Sequence, residues 1–320
     1  MLATILTVAS SCDKAKEFVR AGQAAGPPVV PPGEGLDLAS KPAIVFRVFG
    51  ETSDPRMIPI AAVQNGKLRT IELSQDGWVQ FDALYFKGGV SYPVYRDGRP
   101  DGAVAVQRGM WEHSGRSLYT LPGCQTLTPV ASVRVQAAHS LSNFTVEFLA
   151  STATLSHAHP GNPIVSADVE RIGREVSAEV AAHSGIKAKA LDSLDFRAVG
   201  FLSGASSSPT VVATFIDPGV QSSGTLSSRT THLLVIADRD STGKYHATYS
   251  HEINGPLTNA TFRRYFDHLD LTGDGVDEIV LEGWQFGGDT YLTVLGWQNG
   301  KWREVFRSRS NWCLDERRGT

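Results

Sequence analysis

The stretch Asp270-Leu271-Thr272-Gly273-Asp274-Gly275-Val276-Asp277-Glu278 runs directly into the apolar residues Ile279-Val280-Leu281. Oxygen-bearing side chains stand at the first, third, fifth and ninth positions of this loop, and glycine stands at the sixth. A hard cation such as Ca2+ takes about six to eight oxygen ligands at roughly 2.3–2.6 Å. A short loop supplies them only if alternate residues turn inward and a glycine allows a sharp turn. The spacing therefore points to a structural Ca2+ site made by Asp270, Thr272, Asp274, Val276 and Glu278. The competing reading is a metal-free turn, because Asp side chains bond their own backbone without an ion. Nothing adjacent supplies a nucleophile or base.

An EF-hand requires a bidentate Glu at the twelfth loop position and a helix on each side. Leu281 occupies that position here, and the flank is β-rich. The loop instead resembles the FG-GAP or VCBS-type repeat of integrin-like β-propellers, whose pattern is Asp-x-Asn-Gly-Asp-Gly-x-x-Asp before an apolar strand. Asp270, Gly273, Asp274 and Gly275 match it. Thr272 replaces the usual Asn or Asp, and Glu278 replaces the final Asp. The resemblance implies a loop joining strands of a Ca2+-stabilised β domain.

The residues that follow agree. Strands are expected over 276–286, 290–297 and 301–307, with Asn299-Gly300 as a type I′ hairpin turn. A weaker copy precedes this unit at an offset of 59 residues: Thr231 onward and Lys244 onward parallel Thr290 onward and Lys301 onward. The segment around 201–205 and 209–215 takes the place of the loop and first strand but lacks the acids, so no metal is expected there. Two units cannot close a propeller of about four or more blades. The expectation is two blade-like sheets packed together, or part of a propeller-like domain, over 198–320.

Residues 1–12 are apolar, then small, then Cys12. They resemble a bacterial lipoprotein signal, which implies Cys12 as the lipid-bearing residue and an exported, envelope-anchored protein. A cleaved secretory signal and an ordinary first helix remain as other readings. No Lys or Arg precedes the apolar run, and the run is shorter than the roughly 20 residues of a spanning helix. A Pro/Gly-rich stretch within 13–40 reads as a tether.

Of three cysteines in 320 residues, Cys124 and Cys313 remain beside Cys12, an even pair that a periplasmic setting would allow to bridge. A net charge of −3 without basic runs argues against nucleic acid as a partner. Beyond the first residues no apolar segment is long enough to span a membrane.

The fold class expected is mainly β. Residues 41–137 carry short strand patterns at 43–49, 57–63, 68–73, 78–86, 90–95, 103–108, 117–121 and 132–136, suggesting a small barrel or sandwich. Asn65-Gly66 is another hairpin signal. The turn around Asp97 and Asp101 reads as an exposed connection rather than a second metal loop. Within a linking region over 138–197, Ser166 is a good N-cap for a helix over 167–184, with Val169, Ile172, Val176 and Val180 on one face and Gly185 as terminator.

Two other constellations have the residue types for chemistry. His157 and His159 have the spacing of two ligands on one strand face, and Trp111-Glu112-His113-Ser114 contains an acid, an imidazole and a hydroxyl. The first lacks a third ligand and runs into a Pro/Gly loop. The second holds adjacent residues, which do not face one another. No nucleophile elbow, phosphate loop or dinucleotide fingerprint is present. Three classes follow: an extracytoplasmic binding or scaffold protein for a protein or glycan partner, a secreted hydrolase with its site at the domain junction, and a structural envelope protein.

Overall fold

Apolar residues alternate along Ala43–Glu51 (β1), so that Ile44, Phe46 and Val48 point one way while Val45 and Arg47 point the other. The first set lies inside a barrel. The computed structural model describes residues 36–109, 130–137, 145–155, 163–218, 228–286 and 290–308. The barrel strands are β1, Asp54–Gln64 (β2), Ser91–Arg96 (β4), Arg99–Arg108 (β5), Ala131–Ala137 (β6) and Thr145–Ser151 (β7), with Lys67–Arg69 (β3) extending the β2 hairpin. Their order is β1-β7-β4-β5-β6-β2, and antiparallel pairing of β1 with β2 closes the ring. Closure removes free sheet edges.

Residues 78–86, expected as a strand, instead form most of a helix, Gln75–Tyr85 (α1), and its C-cap Phe86. Trp, Val, Phe and Tyr favour strands by propensity, but Trp78, Phe81 and Tyr85 also recur at helical spacing. Ser74 caps the helix by accepting from the Gly77 N–H at 3.2 Å, and Asp76 sits in its first turn. Phe81, Tyr85 and Phe86 pack into the barrel's interior cluster with Phe46, Val94 and Phe148. Tertiary burial has overridden propensity.

The expected linking region holds β7, which completes the barrel, and the helix Ala167–His183 (α2). Ser166 caps α2 by accepting from the Val169 N–H at 3.3 Å, and Gly185 follows at φ +69°. A short turn of helix, Ala188–Leu191 (α3), leads into two antiparallel four-stranded meanders. The first is Asp195–Phe201 (β8), Thr210–Ile216 (β9), Arg229–Arg239 (β10) and Tyr245–Pro256 (β11). The second is Thr261–Leu269 (β12), Glu278–Gln285 (β13), Thr290–Gln298 (β14) and Lys301–Arg307 (β15). In both, the pairing of third and fourth strands carries a bulge, at Ile236/Ala237 and at Val294/Leu295.

The layers stack in sequence. One face of the first meander (Val211, Phe215, Leu233, Val235) packs on α2 through Val169 and Val176. Its other face (Val212, Leu234, Ile236) meets Ile279, Leu281, Leu295 and Trp302 of the second meander. The reverse face of that second sheet (Val280, Leu292, Val294) covers the outward side of the barrel at Val45, Ala61 and Leu149. Gly35–Thr320 accordingly form one compact unit, and residues 1–34 lie outside the described residues. No helix among the described residues is long and apolar enough to cross a membrane.

Candidate functional site

The loop 270–278 connects β12 to β13, so its position between two strands is as expected. Its carboxylates turn back on its own backbone. Asp270 Oδ1 accepts from the N–H groups of Gly273 (2.6 Å) and Asp274 (3.1 Å), and Oδ2 accepts from Gly275 (3.1 Å). Glu278 Oε2 accepts from the N–H groups of Leu271 (2.7 Å) and Thr272 (3.2 Å), while Oε1 accepts from the Thr272 hydroxyl (2.8 Å). Asp274 Oδ1 accepts from the Val276 N–H at 2.9 Å. Gly273 and Gly275, at φ +79° and +87°, make this curl possible.

Burial pushes the Glu278 carboxyl up to about 7; the bonds from Thr272 and Leu271 oppose that shift, and the charges of Asp274 and Asp270 add to it. Among the described residues no group of three or more His, Cys, Asp or Glu side chains is placed to hold a metal ion. Asp270, Thr272, Asp274, Val276 and Glu278 thus lie in one loop whose carboxylates accept hydrogen bonds from loop donors.

A different constellation occupies the junction of the three layers. A cleft of about 920 Å3 opens between the barrel (Arg47, Glu147), the β8–β9 side of the first meander (Arg197, Val199) and the second meander (Arg264, Trp284). That volume is within the usual range for small-ligand sites. On its floor Arg47, buried on the outer face of β1, pairs with Glu282 of β13. Arg264 of β12 reaches the same Glu282 at 2.5 Å and also Glu147 of β7 at 3.0 Å. Arg47 lies 3.6 Å from Glu147, closing a four-membered network. Nε and Nη1 of Arg47 have no hydrogen-bond partner among the described residues, but its guanidinium carbon lies 5.5 Å from the Phe266 ring and 5.9 Å from the Phe49 ring. Ring faces attract a cation at such distances.

No family model, curated protein or solved structure matches this chain.

Next to the cleft, the turn at Asp97–Gly98 docks onto β12. It is not the exposed connection expected from sequence. The Gly98 N–H donates to Asp267 Oδ1 at 2.8 Å, and a Cβ on Gly98 would lie 2.3 Å from His268 Nε2. His268 stacks on Phe201 at 3.9 Å and its Nδ1 meets the Tyr265 hydroxyl at 2.6 Å. Burial raises the Asp267 carboxyl to about 7, against the lowering effect of its bonds from Gly98 and His268.

His232 stitches the two meanders together. The Arg263 backbone N–H can only donate, so His232 Nε2 accepts it at 3.1 Å, and Nδ1–H donates to the Phe215 carbonyl at 2.9 Å. Both bonds require the neutral ring, and burial holds its pKa down at about 3.

Cys12, Cys124 and Cys313 lie outside the described residues, as do His157, His159 and the Trp111–Ser114 stretch. Trp284 and Tyr291, on the strands after the loop, are half-buried, and Trp284 lines the cleft. Sequence reasoning missed Arg47, Glu147, Arg264 and Glu282. No motif joins residues as far apart as 47 and 282; the only local hint is charge inside otherwise apolar strand patterns, since Arg47 and Glu282 are charged members of runs of buried residues.

Proposed function

We propose that this chain is an extracytoplasmic binding or scaffold protein, anchored through a lipid on Cys12, which takes its ligand in the cleft between the barrel and the two meanders. The observation that carries the reading is the cleft itself, lined by Trp284, Tyr265 and Phe49 above a floor of paired guanidinium and carboxylate groups. Aromatic walls with a few convergent polar groups are the usual make-up of a ligand site. Glu147 and Glu282 are both held by guanidinium groups, which favours holding a ligand over the proton transfer a hydrolase needs.

The apolar run ending in Cys12 and the Pro/Gly-rich stretch after it support an anchored, exported protein. Fatty-acid labelling in bacterial cells tests that part: label is expected on the wild type and absent from Cys12→Ser. Ligand binding is tested by titrating the intact protein with panels of short peptides and oligosaccharides, read through tryptophan fluorescence. A Trp284-dependent change that disappears in Thr145→Trp, which sets a bulky ring on the cleft lining, is expected. Binding unaffected by Thr145→Trp would place the ligand elsewhere and end this reading.

A further inference from the structure

The strand β8 forms the edge of the first meander, paired with β9 on one side only, and the cleft lies over the face that Asp195, Arg197 and Val199 share with Ile216, Thr214 and Val212 of β9. At one point the chain already pairs with this edge. The Gly200 N–H donates to Ile164 O at 2.9 Å, and the Ile164 N–H donates to Gly200 O at 2.6 Å, as an isolated antiparallel bridge. Past Ile164 the chain leaves the edge, because Ser166 starts α2 on the face of the sheet.

In an antiparallel ladder the residues that bond to a given side alternate along the strand. Since Gly200 bonds outward, Ala198 and Phe196 present their N–H and C=O groups outward too. Val199, Arg197 and Asp195 bond inward to β9, in a register without a bulge. Among the described residues nothing pairs with the outward groups of Ala198 and Phe196.

The side chains of Asp195, Arg197 and Val199 line the cleft. Asp195 and Arg197 are exposed, and neither makes an ion pair or side-chain hydrogen bond among the described residues. Exposed apolar residues gather at the same place: of five large ones among the described residues, Ile164 (37 %), Val165 (71 %) and Leu202 (41 %) flank the end of β8.

From this arrangement, and resting on the cleft as the binding site, we infer that its ligand is an extended polypeptide segment of a partner protein, which adds to β8 as an antiparallel strand. Main-chain bonds to Ala198 and Phe196 give affinity, and alternate side chains give specificity. Directly opposed residues interact in such a pair. Read from its amino end, beyond the place taken by Val165, the segment therefore places an acidic residue opposite Arg197 and a basic residue opposite Asp195, with one free position between them. The barrel residues Arg47 and Glu147 line the same cleft as Asp195 and Arg197, so a segment bound on β8 would lie beside charged groups of both signs.

The experiment is a selection of short random displayed peptides on the intact protein, followed by affinity measurements on variants. Enriched peptides are expected to carry the acidic–any–basic pattern. Ala198→Pro removes one outward N–H without touching a β8–β9 bond, and proline is tolerated on an edge strand. Its binding should be lost while its melting temperature stays unchanged. Arg197→Glu should move the selection to a basic residue in place of the acidic one.

Peptides that lose binding with Thr145→Trp but ignore both β8 variants would overturn the edge inference and leave the cleft reading standing. Peptides indifferent to all three variants would overturn both. No enrichment over an unrelated protein would overturn the edge inference, and the oligosaccharide titration then decides the cleft reading separately. Concentration-dependent dimers abolished by Arg197→Glu would assign the edge to a second copy instead.

Discussion

Trp302 of β15 donates its indole N–H to Asp238 of β10 at 2.8 Å, across the interface between the two meanders. Asp238 is fully enclosed and also accepts from Thr210 and Thr248, each at 2.6 Å. One carboxylate on the third strand of one sheet thus fixes the fourth strand of the next. Trp302→Phe removes a donor from a buried charge and leaves a gap in the core. The expected cost is about 2–4 kcal/mol in chemical denaturation, with both sheets losing structure in one transition. Separate transitions for the two sheets would contradict the coupling.

Arg47 and Glu282 form a buried pair between the barrel and the second meander. Removing one member strands the other, at about 3–5 kcal/mol, whereas replacing both by apolar groups can be close to neutral. Glu282→Leu alone is expected to destabilise strongly, and Arg47→Met with Glu282→Leu to recover most of the loss. A double-mutant cycle measures this, and additive costs would refute the pairing as a unit.

For Asp267, burial raises the folded-state carboxyl from 3.8 to about 7. A group whose folded pKa is raised contributes stability that is complete below its unfolded value and lost as pH rises through the folded value. The window is therefore about pH 4 to 7. A tenfold change in proton affinity is worth about 1.4 kcal/mol, so the loss amounts to a few kcal/mol. Asp267→Asn keeps an acceptor for Gly98 and His268 but cannot ionise, so its denaturation midpoint should fall less than the wild type's between pH 4 and pH 8. His232 acts in the opposite sense. Its lowered pKa takes stability away as pH falls from about 6.5 toward 3, so between about pH 4 and 6.5 the two groups act against each other.

Much of the architecture was legible because local chemistry and the global fold agree. Asn65-Gly66 and Asn299-Gly300 both adopt positive φ at both residues, as a two-residue hairpin turn demands. Ser166 caps α2 where the apolar stripe begins. The offset of 59 residues anticipated two sheets of like topology, with β10–β11 and β14–β15 in corresponding places. Where local and global preferences conflict, the reading failed: aromatic residues at 78, 81 and 85 suit a strand but are buried by a helix. The cleft was invisible for another reason. Arg47, Glu147, Arg264 and Glu282 meet only because the barrel docks on the second meander, a contact that no periodicity within one element encodes.

In the loop 270–278, Asp270 and Glu278 accept six hydrogen bonds from loop donors, so the turn has supports of its own beside any ion. A chelator should leave the melting temperature unchanged. Asp270→Ala, which strands three amides, should cost about 2–3 kcal/mol without any calcium present. A rise in melting temperature with Ca2+ but not Mg2+, abolished by Asp274→Ala, would instead restore the loop as a metal site.

Hydrogen exchange of the intact protein with and without a ligand from the peptide and oligosaccharide panels tests the central claim most directly. If the cleft is the binding site, protection should appear together at 145–147, 195–199 and 282–284, the three walls contributed by barrel, edge strand and second meander. Protection confined to any other surface, with those three segments exchanging as in the free protein, would contradict it.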